Sequence, residues 1–125
     1  MSEKLVKIPG PDHPITVEKN PDRVVVKVAG QVVADTRDAL SLQEANYPAV
    51  QYIPRKDVDM TQLERTDNET YCPYKGDASY YSVLPAGADG VNAVWTYEQP
   101  YDAVADIREH VAFYPNKVSI EIITD

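Results

Sequence analysis

Residues 23–34 read Arg23-Val24-Val25-Val26-Lys27-Val28-Ala29-Gly30-Gln31-Val32-Val33-Ala34. Val24, Val26 and Val28 fall on one side of an extended chain, with Val25 and Lys27 on the other, because successive strand side chains point to opposite faces. Gly30-Gln31 fits a two-residue turn with glycine at its first central position, as a type II′ turn requires. Val32-Val33-Ala34 then returns antiparallel. The segment predicts a β-hairpin.

The same punctuation continues on both sides of it. Ile15-Thr16-Val17 is a short strand candidate stopped by Asn20-Pro21-Asp22, and residues 1–13, with Pro9-Gly10-Pro11, read as an extended N-terminal arm before a single β domain over 14–125. Ala39 to Ala45, Tyr47 to Ile53, Ala78 to Leu84, Val91 to Glu98, Val111 to Tyr114 and Lys117 to Ile123 are further strand candidates. Tyr80 and Tyr81 fall on opposite faces of theirs. Val91, Ala93, Trp95 and Tyr97 share a face, and Val118, Ile120 and Ile122 form the buried side of the last strand. Two segments have helical spacing: Asp57 to Arg65, with Val58, Met60 and Leu63 behind an Asp57 N-cap, and Asp102 to Glu109, with Ala103, Val104 and Ile107. Cys72 leads into a turn at Pro73–Gly76, and Pro85–Gly90 is a loop. Short strands at regular spacing with one or two short helices predict a mainly β domain, as an antiparallel two-sheet sandwich or a partly closed barrel.

The chain has 125 residues, enough for one domain with its own core. Nine tyrosines favour strands and ten prolines interrupt them often. A net charge of -8 disfavours broad binding to nucleic acid or to anionic membranes. The first residues carry no long apolar run before Pro9 and do not read as a signal peptide, and no apolar stretch is long enough to span a membrane. A single cysteine excludes an internal disulfide, so a reducing cytoplasm is the expected location.

The residues that could carry chemistry are few. One Cys and two His cannot supply a structural zinc site. Asp57-Val58-Asp59 and Asp67-Asn68-Glu69 read as capping and solvated carboxylates rather than metal ligands. No GxxxxGK[ST] or GxGxxG loop is present, so the Asp57/Asp59 spacing has no phosphate cradle beside it, and no cofactor is implied. Cys72 is a candidate nucleophile if Lys75 or Arg55 lowers its pKa and His110 serves as base, against the simpler reading of a packed thiol. Tyr52, Tyr81, Trp95 and Tyr97 suit a ligand cleft, with Arg55, Asp57 and Lys75 at its polar end.

Four runs carry a family signature in order: Tyr52-Ile53-Pro54-Arg55-Lys56-Asp57-Val58, Cys72-Pro73-Tyr74-Lys75-Gly76-Asp77-Ala78-Ser79-Tyr80-Tyr81, Ala93-Val94-Trp95-Thr96-Tyr97 and Val111-Ala112-Phe113-Tyr114. Together they resemble the domain-of-unknown-function 427 family over roughly Arg23 to Val118. The resemblance implies a small all-β fold of the Mss4-like or β-tent kind, two sheets meeting over a cleft. Relatives of that fold include methionine sulfoxide reductases, zinc-binding modules and recognisers of small cyclic ligands, but this chain lacks the zinc cysteines. The family also carries a nucleotidyltransferase-like label, which the missing phosphate loop does not support. Its motif positions here include Tyr52, Arg55, Asp57, Cys72, Lys75, Gly76, Tyr81, Trp95 and Tyr97.

The expected function is binding of a small polar or anionic metabolite in an aromatic cleft. The alternatives are a thiol-dependent enzyme using Cys72 and a non-catalytic interaction module whose edge strands could form a homodimer.

Overall fold

The hairpin read at residues 23–34 supplies two of the three strands of the smaller of two sheets. In the computed structural model, which describes residues 5–124, ten strands occur. They are β1 (Ile15–Lys19), β2 (Arg23–Val28), β3 (Gln31–Thr36), β4 (Leu40–Glu44), β5 (Val50–Pro54), β6 (Leu63–Cys72), β7 (Gly76–Val83), β8 (Val94–Thr96), β9 (His110–Phe113) and β10 (Ser119–Ile123). Every pairing is antiparallel. One sheet has the order β10-β2-β3 and the other β1-β4-β5-β9-β8-β7-β6. The larger sheet ends at β1 and β6 without closing, so the fold is a pair of open sheets and not a closed barrel. Of the expected arm, residues 1–4 lie outside the described residues. Its remainder touches the β6–β7 turn, where Lys7 donates its backbone N–H to the Pro73 carbonyl at 2.9 Å.

Local details depart from the sequence reading at several places. The β2–β3 turn is Ala29-Gly30, one residue earlier than Gly30-Gln31, and both have positive φ (51° and 80°), the pattern of a type I′ turn. Its twist matches the strands, and a bulge opposite Val26/Lys27 absorbs the changed register. The predicted helix over Asp57–Arg65 is absent. Asp59 donates its backbone N–H to the Val33 carbonyl at 2.8 Å, and Val58 bridges Ala34, so β3 holds this segment open. Only the 3-10 turns Arg55–Asp57 and Met60–Gln62 form, the second capped by Asp59 rather than by Asp57. Asp67 and Asn68 sit at a bulge inside β6.

The alternation expected over Val91–Glu98 holds only in the three residues of β8. Asn92 takes φ 54°, which turns the chain and leaves Val91 half exposed while Ala93 is buried. The helix expected over Asp102–Glu109 is a kinked 3-10 segment, Asp102–Ile107, burying Val104 and Ile107 but not Ala103. The last strand, Ser119–Ile123, leaves Ile122 51% exposed rather than buried.

Two cores lie on opposite faces of the larger sheet. The first fills the space between the sheets, with Val24, Val26 and Val28 of β2 against Ile53, Tyr81, Val83, Val94, Val111 and Phe113. The second gathers Leu42, Tyr52, Ala78, Tyr80, Tyr97 and Ala112 around Val104 and Ile107. Tyr80 and Tyr81 therefore do serve opposite faces, as do Tyr52 and Ile53. The central strands are buried on both sides and lack a polar face.

One seam divides the larger sheet. β5 and β9 pair only through Ile53 with Val111 and Pro54 with His110. Beyond them, Val50–Tyr52 stays with β4, and Ala112–Phe113 stays with β8. The two leaves diverge from that short ladder, and a cleft opens where they part.

Candidate functional site

A cavity of about 210 Å³ occupies the second-core side of this cleft. The β5 leaf contributes Leu42, Glu44, Val50 and Tyr52, the other leaf Tyr80, Trp95, Tyr97 and Tyr114, and the β6–β7 turn delivers Lys75. The short β8 places Trp95 on the cavity face, where its indole N–H donates to the Tyr52 hydroxyl at 3.1 Å and its ring stacks obliquely on Tyr114 at 4.5 Å. The lining hydroxyls of Tyr114 and Tyr80 lie 3.4 Å apart, and Tyr80 is linked in turn to Thr70 of β6 at 2.9 Å.

The charged end is built from three elements. Gly76 holds φ 112°, and a Cβ there would stand 3.3 Å from the Gln99 carbonyl oxygen, so the turn lies tightly against the Gln99–Tyr101 segment. Tyr101 fastens it by donating its N–H to the Lys75 carbonyl at 3.0 Å. The Lys75 side chain, only 12% exposed, reaches Glu44 at the end of β4 and lies 5.8 Å from the Tyr97 ring centre. The other Glu44 oxygen meets His13 at 2.8 Å, and the His13 ring stacks on Tyr74 at 4.2 Å. Burial pushes the Glu44 carboxyl up, but hydrogen bonds from Lys75 and His13 outweigh it and hold the group below its ordinary range. Burial drives the Tyr52 and Tyr97 phenols well up, and it raises Tyr114 to about 12 with help from the Tyr80 hydroxyl. These tyrosines stay protonated at neutral pH.

Of the residues singled out by sequence, the structure brings Tyr52, Lys75, Trp95 and Tyr97 to one cavity, with Cys72 half-buried behind it against the same core. Lys75 shares the turn with Cys72, donating its backbone N–H to the Cys72 carbonyl at 3.2 Å, but its ammonium bonds Glu44. His110 Nδ1 donates to the Arg108 carbonyl at 2.8 Å, and no hydrogen bond joins it to Cys72 among the described residues.

Arg55, Asp57 and Tyr81 lie elsewhere. Tyr81 belongs to the inter-sheet core, and the Arg55 guanidinium stands 6.0 Å from its ring centre, beside a separate hollow with Glu98 and Arg108. Asp57 accepts a hydrogen bond from Thr36 at 2.6 Å, a link between the 3-10 turn and β3. Among the described residues no three His, Cys, Asp or Glu side chains gather as a metal site.

Sequence reasoning passed over Tyr80, Tyr114, Glu44 and His13 as cavity groups. Tyr80 was recoverable: if Tyr80 and Tyr81 face opposite ways, one of them must share the side of Trp95. Glu44 meets His13 on one side and Lys75 on the other, each across 31 residues, and no local pattern announces such contacts.

No curated protein matches the chain. The sequence pattern of the family described as domain of unknown function (DUF427) matches residues 16–124, nearly the full length and all four motif runs, and the chain belongs to that family.

Proposed function

We propose that this protein binds a small metabolite carrying an anionic group in the aromatic cavity at the β5/β9 seam. One observation carries the reading: the cavity presents hydrogen-bond donors that are not engaged by the described residues. An ammonium has three N–H donors, and Lys75 spends one on Glu44, its only hydrogen-bond partner among the described side chains. The Tyr52 hydroxyl accepts from Trp95, and its own proton has no acceptor among the described residues. Two donors on a walled aromatic surface suit a carboxylate or comparable acceptor, whose hydrogen bonds to charged donors are the stronger kind. Glu44 and His13 hold the lysine in place without using it up.

A thermal-shift screen of small acids, nucleotides, sugars and amino acids tests this. A ligand at 100 times its Kd adds about 2.7 kcal/mol to stability and raises the Tm accordingly. Small acids are expected to raise it in the wild type and to lose most of that effect in Lys75→Met. An unmoved Tm across every class overturns the proposal.

A further inference from the structure

A second hollow, about 430 Å³, adjoins the first. It sits at the open end between the two sheets, with Phe113 of β9 on one side and Ile120 and Ile122 of the edge strand β10 on the other. Tyr47, Pro48, Val50 and Trp95 border both hollows, so the two share a wall.

The two differ in chemistry. The first contains Lys75 and Glu44. Among the described residues no charged side chain lines the second, in a chain where 26% of residues are charged. Its one amide, Gln51, is already engaged at both ends, accepting from Asn20 at 2.9 Å and donating to Ser41 at 2.7 Å. Tyr47 and Ile122 nevertheless stand 63% and 51% exposed at its rim. A large apolar hollow left open to solvent is costly unless something covers it.

Building on the anion-binding reading of the first cavity, we propose that the ligand is an amphiphile. Its anionic head meets Lys75 and Tyr52, and its unbranched hydrocarbon tail passes Trp95 to lie between Phe113 and Ile120–Ile122. Continuity with the head site favours a tail over a separate protein partner. The hollow adjoins the charged cavity, as a flexible chain attached to a polar head requires.

Trp95 is the only tryptophan and borders both hollows, so its emission reports occupancy of either. The purified protein is titrated with acetate, butyrate, hexanoate, octanoate and decanoate below their micelle concentrations, and with decanol and decyltrimethylammonium. Affinity is expected to rise about fourfold per added methylene. Decanoate should bind at least tenfold more tightly than decanol. Ile122→Glu should abolish the gain with chain length, with circular dichroism confirming its fold. Lys75→Met should weaken every carboxylate by a similar factor. If short carboxylates bind but lengthening gains nothing, the tail assignment falls and the anion-binding reading stands. If Ile122→Glu keeps the full gain, the tail lies elsewhere and the proposal is overturned. Equal binding of decanoate and decyltrimethylammonium removes the head selectivity on which it rests. No response to any carboxylate overturns both readings.

Discussion

The Trp95 indole N–H and the Tyr52 hydroxyl meet at 3.1 Å, edge to face, across the seam where β5 and β9 no longer pair. This contact joins two leaves of the sheet that share few backbone bonds at that point. Tyr52→Phe keeps the ring and removes the acceptor, leaving a partly buried indole N–H unsatisfied. It should cost about 1–3 kcal/mol in urea denaturation, with a changed emission spectrum. A stability within experimental error of the wild type would show that the contact contributes nothing across the seam.

Glu44 predicts a pH dependence. Its folded-state pKa lies below the ordinary 4.5, so the ionised carboxylate stabilises the native state. That contribution is complete above the unfolded value and is lost as pH falls through the folded one. Glu44→Gln should therefore be less stable than wild type by about 1 kcal/mol at pH 7, a discounted figure because the group keeps some solvent contact. The gap should narrow steadily below about pH 4.5 in chemical denaturation at each pH. A gap that is constant from pH 7 to pH 3 would assign the loss to packing instead.

Two glycines should resist substitution for different reasons. At Gly90 a Cβ would stand 2.3 Å from the Val83 carbonyl oxygen, which is fixed backbone. Gly90→Ala is expected to cost about 1–3 kcal/mol or more through overpacking. At Gly76 the obstacle is φ 112°, and Gly76→Ala should cost about 1–3 kcal/mol of backbone strain. Only the second should also weaken small-acid binding in thermal-shift titrations, because it displaces Lys75.

Cys72 packs against the second core rather than facing a base, so Cys72→Ala should lose about 1 kcal/mol and keep its ligand response. Loss of the response in a folded Cys72→Ala protein would restore the thiol as a functional group.

The reading of residues 23–34 as a hairpin rested on period-two alternation between turn residues, and that pattern survives in the structure. So did the turn after Cys72 and the opposed faces of Tyr80 and Tyr81. What local pattern could not supply was long-range. Val58, Met60 and Leu63 mimic a helical stripe, yet they feed the inter-sheet core from an irregular segment held by β3. The cavity tyrosines come from four separate places in the chain, Tyr52 in β5, Tyr80 in β7, Tyr97 just after β8 and Tyr114 just after β9, and only the seam decides which of them face one another. Arg55 and Tyr81 looked like partners of Trp95 because they share motif runs with Tyr52 and with Lys75, but Tyr81 faces the inter-sheet core and Arg55 stands beside its ring.

β6 is the longest strand and an edge of the larger sheet. A ten-residue edge is a template on which another chain could add itself and start aggregation. Here it carries Glu64, Arg65, Asp67 and Glu69 and is bent by the bulge between Arg65 and Glu69. An incoming strand would have to bury charge and follow a kink. Fibril growth from this edge is therefore opposed by its own side chains, and replacing Asp67 and Glu69 by threonine and valine would turn a guarded border into an adhesive one.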